Sequence, residues 1–295
     1  MDQKPAGRPK TAARVKFWRL PDDLATCFTM VYTVRMDVPH GKRVTDYVIP
    51  EWANLRFFSL GLPRLETSNG DVLETRSLAT GPSSKAMRFE LGSTRLWGLG
   101  LHPCGWARFV SRVAADYADT ARDLRDDDAF ASFAPLCDIL MDPDLPQEKQ
   151  FAGIVAHLRR YPERAAVREK VRRVHEAMTD PYLTEVAELA RRTGLSTRTL
   201  ERLCARHFGF PPRMLLRRQR MMRSVSAHML ASGRSWSETI DRHYHDQAHF
   251  VREFHTFMGM TPTQYAKLPH PLFAPIMHER QRVWGRAVTA GDPHA

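Results

Sequence analysis

The feature that most constrains this chain is the pattern of residues 184–208, TEVAELARRTGLSTRTLERLCARHF. Apolar residues recur three or four positions apart on both sides of Gly194, which predicts two helices that each bury one face. Gly194 can adopt a positive φ at little steric cost, so the chain can reverse there. Ser196 is placed to cap the second helix. The segment therefore predicts two helices joined by a tight turn.

The outer face of the second predicted helix is polar and basic. It carries Thr197, Arg198, Arg202 and Arg206, with Ser196 at the amino end. A helix-turn-helix with such a face is suited to lie in the major groove of DNA. A purely structural helical hairpin also has apolar inner faces and polar outer faces, so this pattern alone leaves both readings open.

The charge distribution favours the DNA reading. Residues 1–150 contain 20 basic and 20 acidic side chains, whereas residues 151–295 contain 24 and 13. The whole net charge of +11 therefore lies in the half with the candidate motif. A basic domain beside a neutral one is typical of a protein with a polyanionic partner.

The N-terminal half has the pattern of a β-rich domain. Runs rich in β-branched, aromatic and apolar residues are separated by turn signals such as VPHGK and TGPSS. Ser68–Asp71 between two such runs indicates a hairpin. The spacing predicts a small antiparallel barrel or sandwich. The runs are Leu24–Val34, Val44–Ile49, Asn54–Leu60, Met87–Leu91 and Thr94–Leu101.

A second motif of the same kind follows the first. Ser235–Glu238 has the form of a capping box, and Asp246 can cap a helix whose buried stripe is Phe250, Phe254 and Phe257. Between the two motifs, the segment MLLRRQRMMRSVSAHML predicts a long helix that holds them at a fixed separation. Two recognition helices on one frame could enter successive major grooves of one duplex.

These patterns together resemble the AraC/XylS family of bacterial transcription regulators, over about residues 170–268. The strings that carry the resemblance are TEVAELARRTGLSTRTLERLCARHFGFPPRMLLRRQR and YHDQAHFVREFHTFMGMTPTQY. The family signature runs through Asp246, Gln247, His249, Phe250, Arg252, Phe254, Gly259, Pro262 and Tyr265.

The resemblance implies an α+β fold. Its N-terminal part is a cupin-like antiparallel β-barrel with helices, and its C-terminal part has two helix-turn-helix units joined by a linker helix. The expected division is a disordered tail at 1–14, a sensor or dimerisation domain at 15–145, a helical linker at 146–168, the DNA-binding domain at 169–268 and a tail at 269–295. The barrel interior could be a ligand pocket or could be packed with side chains such as Phe57, Phe58, Trp97 and Leu99.

The resemblance also implies a sequence-specific DNA-binding transcription regulator. Its partner would be double-stranded promoter DNA, with RNA polymerase as a second partner if it is an activator. A small-molecule effector or a homodimer through the N-terminal domain could modulate it, and no cofactor is expected. The N-terminus has no apolar segment typical of a secretory signal, and no run approaches a membrane span, so we expect a cytoplasmic protein without a membrane partner.

We expect the DNA contacts to come from both recognition helices. In the first unit these are Arg198 and Arg202, with Ser196, Thr197 and Arg206 beside them. In the second, Gln247 would read bases, with Arg252 on the same face and His249 positioning the helix or a phosphate. A further group of arginines on the linker helix would neutralise phosphates or form salt bridges within the domain, namely Arg217, Arg218 and Arg220.

The second unit departs from the family in its turn. His243 stands where most relatives have glycine, and the segment before it is one residue short. A non-glycine residue in a left-handed turn costs on the order of 1 kcal/mol. We therefore expect the second unit to be tilted or to read fewer bases. This departure also supports an alternative, an AraC-like interaction protein without sequence-specific DNA reading.

Two kinds of chemistry were weighed against this interpretation. Some DNA-repair alkyltransferases with an AraC-type domain use a Pro-Cys-His-Arg nucleophile, but Cys104 is followed by Gly105 and Trp106, so the activating histidine is missing. His245 and His249 have helical spacing for a metal, but no carboxylate or cysteine completes a ligand set. We therefore expect no metal site, no disulfide and no enzymatic activity.

Overall fold

The N-terminal part of the chain is built on two antiparallel sheets. The strands are β1 (Ala12–Phe17), β2 (Phe28–Asp37), β3 (Val44–Val48), β4 (Asn54–Leu60), β5 (Arg64–Glu66), β6 (Val72–Glu74), β7 (Ser77–Thr80), β8 (Met87–Leu91), β9 (Thr94–Leu101) and β10 (Ala121–Asp123). The structure is a computed structural model that describes residues 12–163, 165–231 and 235–284. One sheet has the order β1-β2-β9-β4-β7-β10, and the other has the order β3-β8-β5-β6.

All five predicted strands are present. β4, β8 and β9 have the predicted bounds, and β5 pairs with β6 through the hairpin at Gly70, which has a φ of 87°. The first predicted strand begins later than expected, because Leu24 lies in the short helix α1 (Asp22–Ala25). Two aspartates occupy the first turn of α1, where the helix dipole favours negative charge.

Helices cover the larger sheet on one side. They are α2 (Pro103–Phe109), α3 (Leu136–Leu140) and α4 (Gln147–Leu158), with 3₁₀ turns at Ala114–Tyr117 and Asp128–Phe130. Residues 131–135 between the second 3₁₀ turn and α3 form turns, so only Leu136–Leu140 of this stretch is α-helical. Ile154 and Leu158 of α4 are fully buried in the core beneath this sheet. The segment expected as a linker thus belongs in part to the N-terminal domain.

The C-terminal part is helical. Its helices are α5 (Ala165–Thr179), α6 (Val186–Thr193), α7 (Thr197–His207), α8 (Pro212–Leu230), α9 (Gln247–Met258), α10 (Pro262–Ala266) and α11 (Phe273–Trp284). The chain is therefore of the α+β class, as the sequence predicts. Within the described ranges, none of these helices is both long enough and apolar enough to cross a bilayer.

Both segments expected as tails contain regular structure. Residues 12–14, expected in the N-terminal tail, pair with β2 as part of β1. In the expected C-terminal tail, α11 lies against β1 and β3. The Asp46 carboxylate on β3 accepts hydrogen bonds from the backbone N–H groups of Leu272 at 3.0 Å and Phe273 at 2.8 Å. These contacts join residues more than 220 positions apart, so no local pattern could indicate them.

The two parts of the chain share apolar cores. Trp52 and Cys104, from the N-terminal part, are buried among residues of α5, α6 and α7. Ile49 is buried with residues of α8 and α9. The backbone N–H of Ala86 donates to the carbonyl of Phe257 at 2.8 Å. The helical part is therefore packed directly onto the β-rich part.

Candidate nucleic-acid interface

The first helix-turn-helix forms as the sequence predicts. Gly194 ends α6 with a φ of 67°, and the Ser196 hydroxyl accepts from the N–H of Thr199 at 3.3 Å to cap α7. Leu189 and Ala190 of α6 are buried in the core that also holds two residues of α7, Leu200 and Cys204. The pairing of these inner faces leaves the opposite face of α7 free for solvent or a ligand.

The outer face of α7 presents cations that have no acidic partner. Arg198, Arg202 and Arg206 are exposed and spaced four residues apart, so they follow one side of the helix. Throughout the part of the chain that the structure describes, none of the three is paired with a carboxylate. Ser196 and Thr197 are exposed at the amino end of α7, where backbone N–H groups and the helix dipole favour a phosphate.

The neighbouring arginines are arranged differently. On α6, Arg191 and Arg192 both bond to Glu188, at 2.7 Å each, and Arg192 also pairs with Asp180. On α5, Arg172 is held between Glu169 and Glu176. A cation already paired with a carboxylate must give up that partner to bind a phosphate, and an unpaired one need not. The charge available for DNA in the first unit is therefore concentrated on α7.

The second unit is incomplete in its first helix. The residues of the capping box form only a 3₁₀ turn, Trp236–Glu238, and the Glu238 carboxylate accepts from the N–H of Ser235 at 2.8 Å. The expectation of a left-handed His243 is wrong. Among described residues other than glycine, only Asp119 and His270 have a positive φ. His243 instead bonds through its N–H and Nδ1 to the Asp241 carboxylate, at 2.9 and 2.8 Å, which makes a tight turn without the left-handed conformation.

The recognition helix of the second unit, α9, is capped at both ends. The Asp246 side chain accepts from the N–H of His249 at 2.6 Å, and Gly259 ends the helix with a φ of 69°. Gln247 and Arg252 are exposed on its surface. His249 is half-buried and packs edge-on to the Tyr244 ring, with 5.2 Å between ring centroids. Gln247 and Arg252 are free to meet a ligand, while His249 fixes the start of the helix.

A buried carboxylate organises the linker helix, and the sequence patterns did not reveal it. Glu253 on α9 is 1% exposed and pairs with Arg217 at 2.6 Å and Arg220 at 2.9 Å. Burial acts to raise the pKa of Glu253, but hydrogen bonds that include those from the two arginines outweigh it and lower the pKa. Of the two roles expected for Arg217 and Arg220, the structure shows the salt bridge within the domain.

Arg218 does not face solvent. It is 1% exposed, and its guanidinium donates to the carbonyls of Glu51 at 3.2 Å and Ser83 at 2.8 Å. The same group lies 3.9 Å from the ring of Trp52. Burial, only partly offset by the charges of Asp119 and Glu51, lowers the pKa of Arg218 to about 9. In this arrangement Arg218 joins the linker helix to the N-terminal domain and cannot reach a phosphate.

The chemistry weighed against the DNA reading has no support at these positions. Cys104 is buried, its Sγ lies 3.9 Å from the carbonyl of Arg168, and burial raises its pKa to about 12. A thiol in that setting is not a nucleophile at neutral pH. His245 is 91% exposed, and its Nδ1 lies 3.4 Å from the Asp246 carboxylate.

Only one of the four side chains expected in the barrel interior packs between the two sheets. Phe57, Phe58, Trp97 and Leu99 are all buried, but Phe57, Trp97 and Leu99 lie in the core shared with α3 and α4, whereas Phe58 packs between the sheets. A cavity of about 70 Å³ remains beside Tyr32 and a partly exposed ion pair, in which Arg56 Nη2 lies 2.6 Å from Glu51 Oε1. Leu272 and Ile276 of the C-terminal segment also line it. The space would hold only a very small molecule without movement of its walls.

Comparison with known proteins identifies the C-terminal domain. Residues 189–268 match the family described as "Helix-turn-helix domain", and this match confirms the AraC-type domain expected from the sequence. A comparison with curated protein sequences found no match.

Several solved structures are similar to the chain, including the following three. Apo ToxT K231A from Vibrio cholerae strain SCE256 is 12% identical, with 88% of this chain and 98% of that chain covered and a TM-score of 0.43. ToxT from Vibrio cholerae in a second crystal form is 13% identical, with coverage of 80% and 96% and a TM-score of 0.43. The AraC-like transcriptional activator CuxR is 14% identical, with coverage of 75% and 84% and a TM-score of 0.31.

Proposed function

We propose that this chain, a DNA-binding transcription regulator with an AraC-type helix-turn-helix domain, reads its target sequence mainly through α7. The observation that carries the proposal is the row of exposed arginines on α7 without carboxylate partners, Arg198, Arg202 and Arg206. An arginine fork fits both a phosphate and the edge of guanine in the major groove. The amino end of α7, with Ser196 and Thr197, would lie against the DNA backbone.

The second unit would add contacts of lower specificity. α9 offers Gln247 and Arg252, but a single 3₁₀ turn replaces the first α-helix of this unit within the described residues. A helix-turn-helix relies on its first helix to brace the recognition helix against the backbone. We therefore expect α9 to contribute mainly affinity, and α7 to contribute most of the sequence preference.

The regulatory setting is part of the same proposal. The domain match supports promoter DNA as the partner, and action on that DNA implies a cytoplasmic location. RNA polymerase would be a second partner if the protein activates transcription. Self-association through the N-terminal sheets, or an effector bound by the N-terminal domain, would modulate the binding of DNA.

The first experiment is the selection of bound sites from genomic DNA, followed by affinity measurements on the selected duplex. Arg202→Ala should cost about 1–3 kcal/mol at one base pair and relax the preference there, because a bidentate base contact is lost. Arg191→Ala is the matched control, since Arg191 is exposed on the adjacent helix but paired with Glu188. Equal affinity of the two variants for all sequences would contradict the role of α7. Absence of any salt-dependent binding would favour the interaction protein instead.

A further inference from the structure

A groove lies between the exposed side of α7 and the N-terminal domain, beside the core that joins them. Its volume is about 760 Å³, within the roughly 300–1,000 Å³ typical of small-molecule sites. One wall is the carboxyl-terminal half of α7 with Arg202 and Arg206, and the other is the segment 107–112 that ends α2. Tyr161 and Lys170 close the remaining side. We call this space the basic groove.

The charge of the basic groove is of one sign. The described residues that line it include Arg108, Arg112, Lys170, Arg202 and Arg206, and none of the described lining residues is Asp or Glu. Cations that converge on one water-filled space repel each other, and a low-dielectric wall focuses their field. The groove therefore attracts anions, and an anion with several charges would relieve the repulsion most.

The cations in the groove differ in whether they already form hydrogen bonds with the protein. Arg108 donates to the carbonyl of Tyr161 at 3.1 and 2.9 Å, so it is part of the wall. Arg112, Lys170, Arg202 and Arg206 are exposed, and none has a carboxylate partner in the described part of the chain. The backbone of Arg112 is held in place, because its carbonyl accepts from Trp106 Nε1 at 2.9 Å. Four cations are thus free for a ligand.

The groove also has an apolar surface. Phe109, Val110, Val167 and Leu203 line it, and the ring of Tyr161 is half-buried there. A bare inorganic ion would leave this surface in contact with water. A ligand with an aromatic or apolar part beside its charges would cover both kinds of surface, as a planar ring on an aromatic wall does.

We propose that the basic groove binds a small polyanion of the nucleotide type and that this ligand regulates DNA binding. The proposal rests on the proposed function, because Arg202 and Arg206 would otherwise contact DNA. With the ligand bound, its phosphates occupy both arginines and bridge α7 to Arg112 on the N-terminal domain. A recognition helix needs its whole outer face to enter a major groove about 12 Å wide. Ligand and DNA therefore compete for the same arginines.

The binding test uses the full chain with ATP, pyrophosphate and adenosine as probes. Isothermal titration at low salt should give an order of affinity of ATP, then pyrophosphate, then adenosine. The double variant Arg112→Gln/Lys170→Gln should weaken ATP binding by about tenfold or more, because two charge-assisted contacts are lost. The matched control is Arg14→Gln/Lys42→Gln, which removes two exposed cations outside the groove. No ATP binding at millimolar concentration, or equal affinity of the two double variants, would overturn the proposal.

The competition test separates this proposal from the proposed function. ATP should displace the selected duplex from the unmodified protein and from the control, but far less from Arg112→Gln/Lys170→Gln. In the absence of ATP, that double variant should bind DNA as the control does. Weaker DNA binding by the variant without ATP would assign the groove to the DNA footprint and refute the ligand site. If the unmodified protein bound no DNA, the proposed function would be refuted. The ATP titration would still show whether the basic groove binds a ligand.

Discussion

Individual arginines in the C-terminal half have the same sequence character and different roles. Arg202 is exposed without a carboxylate partner, Arg217 pairs with Glu253, and Arg218 is buried against two carbonyls. Sequence spacing could place the α7 arginines on an outer face, because helical periodicity determines that face. It could not distinguish Arg217 from Arg218, since their partners come from α9 and from the N-terminal domain.

Glu253 provides a residue-scale prediction about stability. Glu253→Gln should lower the free energy of unfolding by about 3 kcal/mol or more, because two arginines lose a buried counter-charge. Chemical denaturation monitored by tryptophan fluorescence measures this. Glu201→Gln, at an exposed position on α7, is the control and should change stability little. A loss in Glu253→Gln no larger than in the control would show that the ion pairs contribute nothing.

The same carboxylate predicts a pH dependence. The folded-state pKa of Glu253 is below its ordinary value. Its stabilising contribution is therefore complete above the unfolded-state pKa of about 4.3 and is lost as the pH falls through the lower folded-state value. Below pH 4.3 the stability of the unmodified protein should fall more steeply than that of Glu253→Gln. Parallel curves for the two proteins would contradict this assignment.

At the scale of elements, the first helix-turn-helix is the best predicted part of the molecule. Its determinants are local, since Gly194 supplies the turn and Ser196 supplies the cap within a few residues. The strands were predicted for the same reason, through the composition and turn signals of β4 and β9. α11 was missed because it is stabilised by packing on strands near the other end of the chain.

The turn gives an element-scale prediction. Gly194→Ala should destabilise the chain by about 1 kcal/mol, because a left-handed backbone is less favourable for alanine than for glycine. No atom lies within 4 Å of the added Cβ, so the cost would come from the backbone alone. Gly92→Ala is a suitable comparison, since its φ is outside the left-handed range and its nearest contact is 3.7 Å. A melting temperature equal to that of Gly92→Ala would refute the strain argument.

At the scale of the whole molecule, Arg218 decides how the two domains are joined. Arg218→Ala removes the side-chain donor to the buried carbonyl of Ser83 and one donor to the carbonyl of Glu51, which keeps the backbone N–H of Ser83 at 2.9 Å. The loss should cost about 2–3 kcal/mol. Hydrogen exchange should rise at residues 51–53 and 83–84. The salt dependence of DNA binding should not change, because Arg218 is not positioned to contact a phosphate.

Arg213→Ala is the matched variant for this prediction. Arg213 is exposed near the start of α8, with no carboxylate partner in the described ranges. Its loss should flatten the salt slope of DNA binding and leave stability nearly unchanged. A reversal of these two outcomes, with Arg218→Ala changing the slope and Arg213→Ala the stability, would show that the domains separate in solution and free Arg218.

The buried position of Trp52 has a consequence for genetics. Its ring stacks on Arg218 and packs edge-on to Phe208 at the end of α7, with 5.7 Å between centroids. Trp52 belongs to the N-terminal domain, but a substitution there would disturb the packing at the end of the recognition helix α7. In a screen for alleles that lose control of transcription, mutations of Trp52 should have the same phenotype as mutations in α7. Such alleles would therefore be found in both domains.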